Sequence, residues 1–208
     1  MAEEQRERTP LYTFCRRLFG LIFGTICPIK YYNTQILDQA EAPYILVSNH
    51  KAAIDPFVLA KAVKKYEIRF VGKREITSHK IVEWAVKSLH MIPVSRHATD
   101  MGAMRACMQT LREGHVLGIF PEGTRHLPDL MQTVESGAAM IALRAGVPII
   151  PVYINSRVRL FHRVRVRVGA PMDIQDIKAQ GVNSDTIKLL CDRIRETFYG
   201  LRDTDNQA

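Results

Sequence analysis

Residues 43–63 read PYILVSNHKAAIDPFVLAKAV, and this stretch decides the fold class. Its first part, residues 43–48, is mostly apolar and predicts a short buried strand. Asp55 and Pro56 then predict a helix that runs to about residue 66, with Asp55 as its N-cap and Pro56 at its first position. A strand followed by a polar loop and a helix is the repeating unit of layered α/β domains.

The same alternation continues along the rest of the chain. Further strands are predicted at 68–72, 91–94, 115–120, 147–154 and 163–168. Further helices are predicted at 75–90, 136–145 (closed by Gly146) and 185–201, and from a cap at Thr99 or Asp100 to about Gly114. This order predicts a single α/β domain whose mostly parallel central sheet is flanked by helices. Pro148 and Pro151 place the 147–154 strand near an edge of that sheet or at an irregular position in it.

The segment before this domain is apolar and aromatic from residue 11 to residue 29. Apolar residues recur there at helical spacing: Leu11, Phe14, Cys15, Leu18, Ile22 and Ile26. Such a helix packs on the protein's own core or lies in the headgroup region of a membrane, and both interpretations stay open at this point. An export signal around Arg16 and Arg17 is disfavoured, because acidic residues precede it and no small-residue cleavage site follows. We predict a helical segment at 1–32, a linker at 31–42 and one domain at 33–208.

The chain has 208 residues, 47% of them hydrophobic, which is enough for one sizeable core and excludes a disordered protein. No uninterrupted apolar run approaches the ~20 residues of a membrane-spanning helix, so a polytopic membrane protein is excluded as well. Lys and Arg total 29 against 21 Asp and Glu, and the resulting charge of +8 predicts an anionic partner. Composition alone leaves nucleic acid, a membrane surface and a phosphorylated substrate as candidates.

The four cysteines are far apart and form no C-x-x-C pair. This spacing disfavours a disulfide framework and a thiolate metal site, and it is typical of reduced thiols in a protein that faces the cytosol. The seven histidines show no H-x3-H or H-E-x-x-H spacing, so no metal site is predicted.

The first candidate motif is N-H-K-A-A-I-D at residues 49–55, directly after the first predicted strand of the domain. This is where α/β proteins place their ligand sites. A neutral imidazole, with an unperturbed pKa near 6.5, is a suitable general base at neutral pH. Asp55 fixes the tautomer of His50 if the residues between them turn back on themselves. Taken alone, the pair is better explained as a loop histidine beside a helix cap.

The second motif is F-P-E-G-T-R at residues 120–125, which also follows a predicted strand. Arg125 offers a planar fork for a phosphate, Thr124 and backbone amides add hydrogen bonds, and Gly123 allows close approach of the backbone. Gly118 and Gly123 have the spacing of a P-loop, but Thr124 stands where its lysine belongs, so a P-loop is rejected. Taken alone, the motif is an ordinary turn followed by a solvated charge.

Two further motifs occupy strand ends or strands. Gly72-Lys73-Arg74-Glu75 sets two adjacent cations at the end of a strand, where they bind a phosphate or begin a solvated helix. Val147-Pro148-Ile149-Ile150-Pro151-Val152 carries no titratable group, so it acts through shape, as part of the core or of an apolar groove. Arg163, Arg165 and Arg167 alternate with valines and share one strand face, which favours a solvated face over contact with an anionic lipid or carrier.

In this order and at these spacings, the four motifs resemble the glycerolipid acyltransferase family, most closely its bacterial 1-acyl-sn-glycerol-3-phosphate acyltransferases. The family blocks are N-H-x4-D, G-K-x-E-L, F-P-E-G-T-R-S and V-P-I-x-P-V, and the resemblance covers about residues 12–201. Ile76 for Leu and His126 for Ser are mild departures. Glu135 stands where family members often carry a lysine, and this carboxylate disfavours a phosphate there.

The resemblance implies transfer of a fatty acyl group from acyl carrier protein or coenzyme A to the sn-2 hydroxyl of 1-acyl-sn-glycerol 3-phosphate. His50 is expected to be the general base, and Asp55 is expected to orient it. Residues expected to hold the acceptor are Asn49, Lys73, Arg74, Glu122, Gly123, Thr124 and Arg125. Residues expected to line an acyl channel are Pro148, Ile149, Ile150 and Pro151. A related acyltransferase for another acceptor, such as a lyso-ornithine lipid or a lysophospholipid with a headgroup, is the main alternative.

The resemblance also bears on cofactors, partners and location. No resident cofactor, metal or covalent acyl-enzyme is expected, because the chain has no G-x-S-x-G elbow and no cysteine beside a motif histidine. The expected partners are the lysolipid, the thioester donor and a membrane surface, not nucleic acid. The N-terminal segment is now favoured as an interfacial helix, on a peripheral or monotopic protein at the cytoplasmic face of the cell membrane. A non-enzymatic basic module is the distant alternative.

Overall fold

A twisted layer of β-strands crosses the centre of the computed structural model, which describes residues 10, 12–14, 17–18, 20–21, 28–73, 90–94, 100–125, 129–157 and 163–207. Its strands are β1 Ile29–Tyr32, β2 Ile45–Ser48, β3 Ile68–Lys73, β4 Ile92–Val94, β5 Val116–Ile119, β6 Ile149–Ile154 and β7 Val164–Val168. Its helices are α1 Gln35–Gln39, α2 Asp55–Ala62, α3 Met101–Arg112, α4 Ser136–Ala145, α5 Gln175–Lys178 and α6 Ser184–Asn206. Arg74 and residues 75–89 of the predicted helix at 75–90 lie outside the described residues, whereas His90 is described and lies in a turn.

The seven described strands form one sheet in the order β1-β7-β6-β2-β5-β3-β4. Pairing is parallel throughout, except between β6 and β7, which are antiparallel. The prediction of a single, mostly parallel sheet flanked by helices is therefore confirmed.

Both faces of the sheet are covered, as a parallel sheet requires. Along β2, Ile45 and Val47 point into a core that includes residues of α3, α4 and α6, whereas Leu46 points into a second core with residues of α1 and α2. Tyr12, from the N-terminal segment, is buried in this second core. The result is a three-layer arrangement in which the loops at the strand ends are free to carry chemistry.

Local signals predicted several helix ends correctly. The Asp100 side chain accepts a hydrogen bond from the N–H of Ala103 at 2.9 Å and caps α3. Gly146 ends α4 with φ of +67°, a left-handed conformation that glycine adopts without a steric penalty.

Residues 29–42 differ from the prediction. Where a helical segment and then a linker were expected, β1 pairs with β7 at the sheet edge and α1 follows it. Ile29 and Tyr31 pack against the core below α1 and α2, and this apolar contact explains why the chain is ordered into a strand. The division of the chain at residue 32 otherwise stays a prediction.

Strand β6 is not at an edge, because it lies between β7 and β2. Ile149 donates its N–H to Met172, on the β7 side, and N–H groups alternate sides along a strand. The N–H that Pro151 lacks would therefore also face the β7 side, where ladder pairing with β7 begins only at Val152. Pro151 is tolerated in an interior strand because it occupies this irregular position.

The arginines of β7 are not a solvated face. Arg165 Nε lies 2.9 Å from Asp205 Oδ2, and Arg167 Nη2 lies 3.5 Å from Asp205 Oδ1. Asp205 is buried on α6, and the Arg167 guanidinium stacks 4.7 Å from the ring centroid of Tyr32. Both arginines thus fasten the sheet edge to the last helix, and the hypothesis that they face lipid or a carrier protein is wrong for them.

No helix among the described residues is both long enough and apolar enough to cross a bilayer. The N-terminal residues that the structure describes, Pro10, Tyr12–Phe14, Arg17–Leu18 and Gly20–Leu21, are helical.

Candidate active site

Two of the sequence motifs meet at one edge of the sheet. Strands β2 and β5 are parallel neighbours, with Val47 opposite Ile119, so the loops that follow them leave on the same side. The backbone N–H of His50 donates to the Glu122 carboxylate at 2.7 Å, across 72 positions of sequence. The convergence of these two motifs defines the candidate active site.

His50 and Asp55 form the predicted pair. His50 Nδ1 lies 2.8 Å from Asp55 Oδ2, the carboxylate is fully buried, and the His50 side chain is 18% exposed. The same Oδ2 atom accepts the N–H groups of Lys51 at 2.6 Å and Ala52 at 2.8 Å. These three bonds bend the intervening residues back on themselves, as the motif requires.

The sequence predicted Asp55 as the N-cap of α2, and this prediction is wrong. The cap position falls on Ile54, and no side chain caps the helix. The carboxylate instead turns back onto the residues before the helix, because three donors there outweigh the single bond of a cap.

The pair can act as a general base. A carboxylate bonded to Nδ1 holds the proton on that nitrogen, which leaves the lone pair of Nε2 available to accept a proton. The partly exposed His50 ring can therefore meet a substrate hydroxyl while its other side is anchored in the protein.

An aromatic stack holds the face of the His50 ring. The Phe120 ring lies 4.2 Å from it between centroids, with an interplanar angle of 22°, and Phe70 lies 6.0 Å from Phe120. Gly118 is paired with Phe70 across β5 and β3, and a Cβ atom on it would stand 2.5 Å from Phe70 Cδ1. The glycine thus makes room for the stack of Phe70, Phe120 and His50. This stack was not predicted from the sequence. A glycine inside a predicted strand was the available signal, since it marks a close approach.

Asn49 does not face the site, contrary to expectation. It is fully buried, and its amide bonds both backbone groups of Ile154: Nδ2 donates at 2.9 Å and Oδ1 accepts at 2.8 Å. Asn49 therefore extends the pairing of β2 with β6 by one side chain, and this contact fixes the start of the His50 loop.

Glu122 is also buried, at 4% exposure, although it was expected to hold the acceptor. Its Oε2 atom accepts the N–H of His50, and its Oε1 atom accepts the N–H of Met131 at 2.9 Å. Both carboxylate oxygens are thus engaged by backbone donors.

The end of the second motif does reach the surface. Gly123 and Arg125 are exposed, Thr124 is half-buried, and Gly123 adopts φ of +64°, which turns the loop outward. Lys73 is the last residue of β3, at the same end of the sheet, and its side chain lies outside the described part of the chain, as does Arg74.

The four residues expected to line an acyl channel do not share a surface. Ile149 and Ile150 are buried in the two cores on opposite faces of the sheet, and Pro148 is exposed. Ile149 pairs with Ile45 at the beginning of β2, which is five residues, or about 16 Å of strand, before His50. Ile149, Ile150 and the buried Pro151 of β6 therefore serve the interior on the two sides of the sheet, because successive side chains of a strand point to opposite faces.

Comparison with known proteins gives the class of protein to which this chain belongs. Residues 28–155 match the family model described as Acyltransferase, so the chain belongs to the acyltransferase family and is an enzyme of that class. The 1-acyl-sn-glycerol-3-phosphate acyltransferase of Streptococcus pneumoniae is 31% identical over 203 residues, which cover 94% of this chain and 75% of the relative. The Bacillus subtilis enzyme of the same name is 26% identical over 171 residues, covering 80% and 84%.

The fold has a solved counterpart. The crystal structure of the 1-acyl-sn-glycerophosphate (LPA) acyltransferase PlsC from Thermotoga maritima matches with a TM-score of 0.65 at 22% identity, over 94% of this chain and 78% of that one. This likeness confirms the architecture.

Proposed function

We propose that the protein transfers a fatty acyl group from a thioester to the sn-2 hydroxyl of 1-acyl-sn-glycerol 3-phosphate, giving phosphatidic acid. The observation that carries the proposal is the His50–Asp55 pair, held at 2.8 Å beside a surface loop that ends in Arg125. Relatives that align with most of this chain are named for this reaction. The donor is acyl carrier protein or coenzyme A carrying the acyl chain, and no resident cofactor or metal takes part.

The reaction follows from the geometry of the pair. His50 Nε2 takes the proton of the acceptor hydroxyl as its oxygen attacks the thioester carbonyl carbon. The buried Asp55 carboxylate stabilises the imidazolium that forms. Collapse of the tetrahedral intermediate forms the ester, breaks the carbon–sulfur bond and releases a thiolate. The imidazolium then returns its proton to the sulfur, so the enzyme ends in its starting state.

The acceptor phosphate binds at Gly123, Thr124 and Arg125, with Lys73 and Arg74 as further cations. Arg125 is exposed at the same sheet edge as His50, and its planar guanidinium bonds two phosphate oxygens at once. Gly123 is exposed and carries no side chain, so a ligand can approach the loop closely at this position.

Replacement of Arg125 by alanine is expected to raise the KM for the phosphorylated acceptor about 10- to 100-fold, the effect of losing one or two charge-assisted hydrogen bonds. The KM for the acyl donor should change less than threefold. Steady-state kinetics with each substrate varied in turn measures both constants. Arg144→Ala, which removes another exposed arginine from α4, is the matched control and should leave both constants unchanged. Equal increases for donor and acceptor would contradict a phosphate role.

A second acceptor class is favoured by Glu135. A Cβ atom on Gly123 would stand 3.4 Å from Glu135 Cγ and Oε1, so this carboxylate lies against the loop proposed for the phosphate. The Glu135 carboxylate would stabilise a headgroup that carries a positive charge, as in a lyso-ornithine lipid.

A panel of acceptors tests the function. Purified enzyme with acyl-coenzyme A or acyl carrier protein is given lysophosphatidate, a lysophospholipid with a zwitterionic headgroup or a lyso-ornithine lipid, and the acylated product is measured by mass spectrometry. The highest kcat/KM is expected with lysophosphatidate. A higher value with lyso-ornithine lipid would support the second class instead, and transfer to no acceptor would reject both.

We place the protein at the cytoplasmic face of the cell membrane, as a peripheral or monotopic protein whose segment before β1 lies at the interface. Phe14, Leu18 and Leu21 are 57%, 38% and 69% exposed, and such an apolar face is suited to the lipid boundary. Tyr12 instead is buried, and its hydroxyl accepts the N–H of Ile68 at 3.2 Å. The segment thus docks on the core through one side and offers the other to lipid.

Replacement of Phe14, Leu18 and Leu21 together by serine is expected to weaken binding to vesicles with anionic lipid at least tenfold. Each side chain contributes roughly 1 kcal/mol or more when it leaves water, even when only partly buried. Vesicle sedimentation measures the change, and this variant keeps Tyr12 in the core where a deletion would not. Val182→Ser with Leu189→Ser, at two apolar residues each 43% exposed near the start of α6, is the control. If both variants sediment as the wild type does, the membrane contact lies elsewhere.

A further inference from the structure

Glu122 is hydrogen-bonded to two loops that lie far apart in the sequence, one containing His50 and the other containing Met131. Its Oε2 atom accepts the N–H of His50 at 2.7 Å, and its Oε1 atom accepts the N–H of Met131 at 2.9 Å. An ionised carboxylate is an acceptor only, and these two donors use one oxygen each. Because only 4% of its surface is exposed, Glu122 is enclosed by the protein.

The loop that contains Met131 is also held by hydrogen bonds on both sides. Met131 is fully buried and adopts φ of +52°, a left-handed conformation that is uncommon for a residue other than glycine. Its carbonyl accepts a hydrogen bond from Arg195 Nε of α6 at 3.2 Å, while its N–H is bonded by Glu122. A strained backbone persists only where its surroundings hold it, so this loop provides a fixed base for the Glu122 carboxylate.

Glu122 therefore fixes His50 from the backbone side, whereas other groups fix its ring. Asp55 holds Nδ1, and the Phe120 ring covers one face. Asn49, the preceding residue, is bonded to Ile154 of β6. The contacts of Glu122 and Asn49 thus fix the backbone of His50, whereas Asp55 and Phe120 fix its ring.

We infer that Glu122 is a positioning residue for His50 and not a ligand of the acceptor. It acts on the rate of the chemical step, because a general base displaced by about 1 Å loses up to 100-fold in rate. The inference rests on the proposed function, in that it takes His50 as the base for acyl transfer.

Glu122→Gln tests this role with nearly the same shape. Its amide keeps one acceptor and sets an NH2 group against a backbone N–H, so one of the two loops must move. We expect kcat to fall 10- to 100-fold and the acceptor KM to change less than threefold. Arg125→Ala should show the opposite division, with a raised acceptor KM. Glu196→Gln, the same substitution at an exposed position of α6, is the matched control and should keep the wild-type kcat.

Glu122→Asp keeps both carboxylate oxygens at a shorter reach, and its kcat should lie between those of the wild type and Glu122→Gln. Thermal unfolding followed by circular dichroism confirms that each variant is folded at the assay temperature. If Glu122→Gln is not folded, the same criteria are applied to Glu122→Asp. A raised acceptor KM with an unchanged kcat would overturn the inference, as would wild-type values for both constants.

The kinetics are measured with whichever acceptor of the panel the wild-type enzyme uses best. Failure of the proposed function would appear as a wild-type enzyme that prefers another acceptor. Failure of the inference would appear as a shift of KM in place of kcat, whichever acceptor is used, so the two failures are distinguishable.

Discussion

Replacement of His50 by alanine is expected to lower kcat about 10³-fold or more, because the methyl group of alanine cannot accept the hydroxyl proton that the proposed general base removes. The imidazole is partly exposed, and the bond from Nδ1 to Asp55 keeps the proton on that nitrogen, so the lone pair of Nε2 can accept the proton. Its removal leaves binding by the Gly123–Arg125 loop in place, so the acceptor KM should stay within a few-fold of the wild type. Acyl transfer from a radiolabelled thioester gives the range needed to measure so low a rate.

His115→Ala is the matched control for this variant. The His115 side chain is 18% exposed, as is that of His50, but it precedes β5 and therefore lies at the opposite edge of the sheet. Its loss removes a contact with Arg69 and should leave kcat within threefold of the wild type. An enzyme that kept a tenth of its activity without His50 would require another base and would reject the mechanism.

Asp55→Asn is expected to lower kcat about 10⁴-fold, the effect found when the aspartate of a catalytic triad is replaced by asparagine. The asparagine oxygen can replace Oδ2 and keep the bonds from Lys51, Ala52 and His50. Its NH2 group would then stand at the position of Oδ1, which is buried and has no hydrogen-bond partner among the described residues. The substitution thus removes the charge that stabilises the imidazolium while it preserves the turn of the loop.

Asp38→Asn gives the matching control, since Asp38 is exposed and forms a surface ion pair with Lys64. Such pairs contribute about 0–1 kcal/mol, so both stability and kcat should be nearly unchanged. Thermal unfolding of Asp55→Asn should show a folded protein. If this variant kept more than a tenth of the wild-type kcat, Asp55 would act through its hydrogen bonds alone.

The helices and strands were largely predictable because their signals are local. The cap at Asp100 and the end of α4 at Gly146 each depend on residues within one turn of a helix. The strands of the domain follow from short apolar runs, and the His50–Asp55 pair is itself local, since its members are five residues apart. Proline and glycine residues that follow β2 and β5 also indicated where the two loops of the candidate site lie.

Apart from the N-cap at Asp55, predictions for polar side chains failed where the side chain is satisfied by a distant part of the chain. Asn49 reaches Ile154 across 105 positions, and Glu122 reaches His50 across 72. Both carry polar groups beside a catalytic motif, so the sequence suggests substrate contacts for them. The interior place of β6 and the pairing of β7 arginines with Asp205 have the same origin, because strand order and helix docking are long-range properties.

The amino-acid sequence by itself determined the α/β class, the loops of the candidate site and the spacing that brings His50 and Asp55 into contact. These depend on periodicity, on helix caps and on hydrogen bonds within a few residues. The tertiary structure alone decided which polar residues of those loops are exposed at the candidate site and which are buried and bonded to the backbone around His50. That distinction depends on burial, and burial is settled only when β2, β5 and β6 pair side by side and bring donors from distant loops to Asn49 and Glu122.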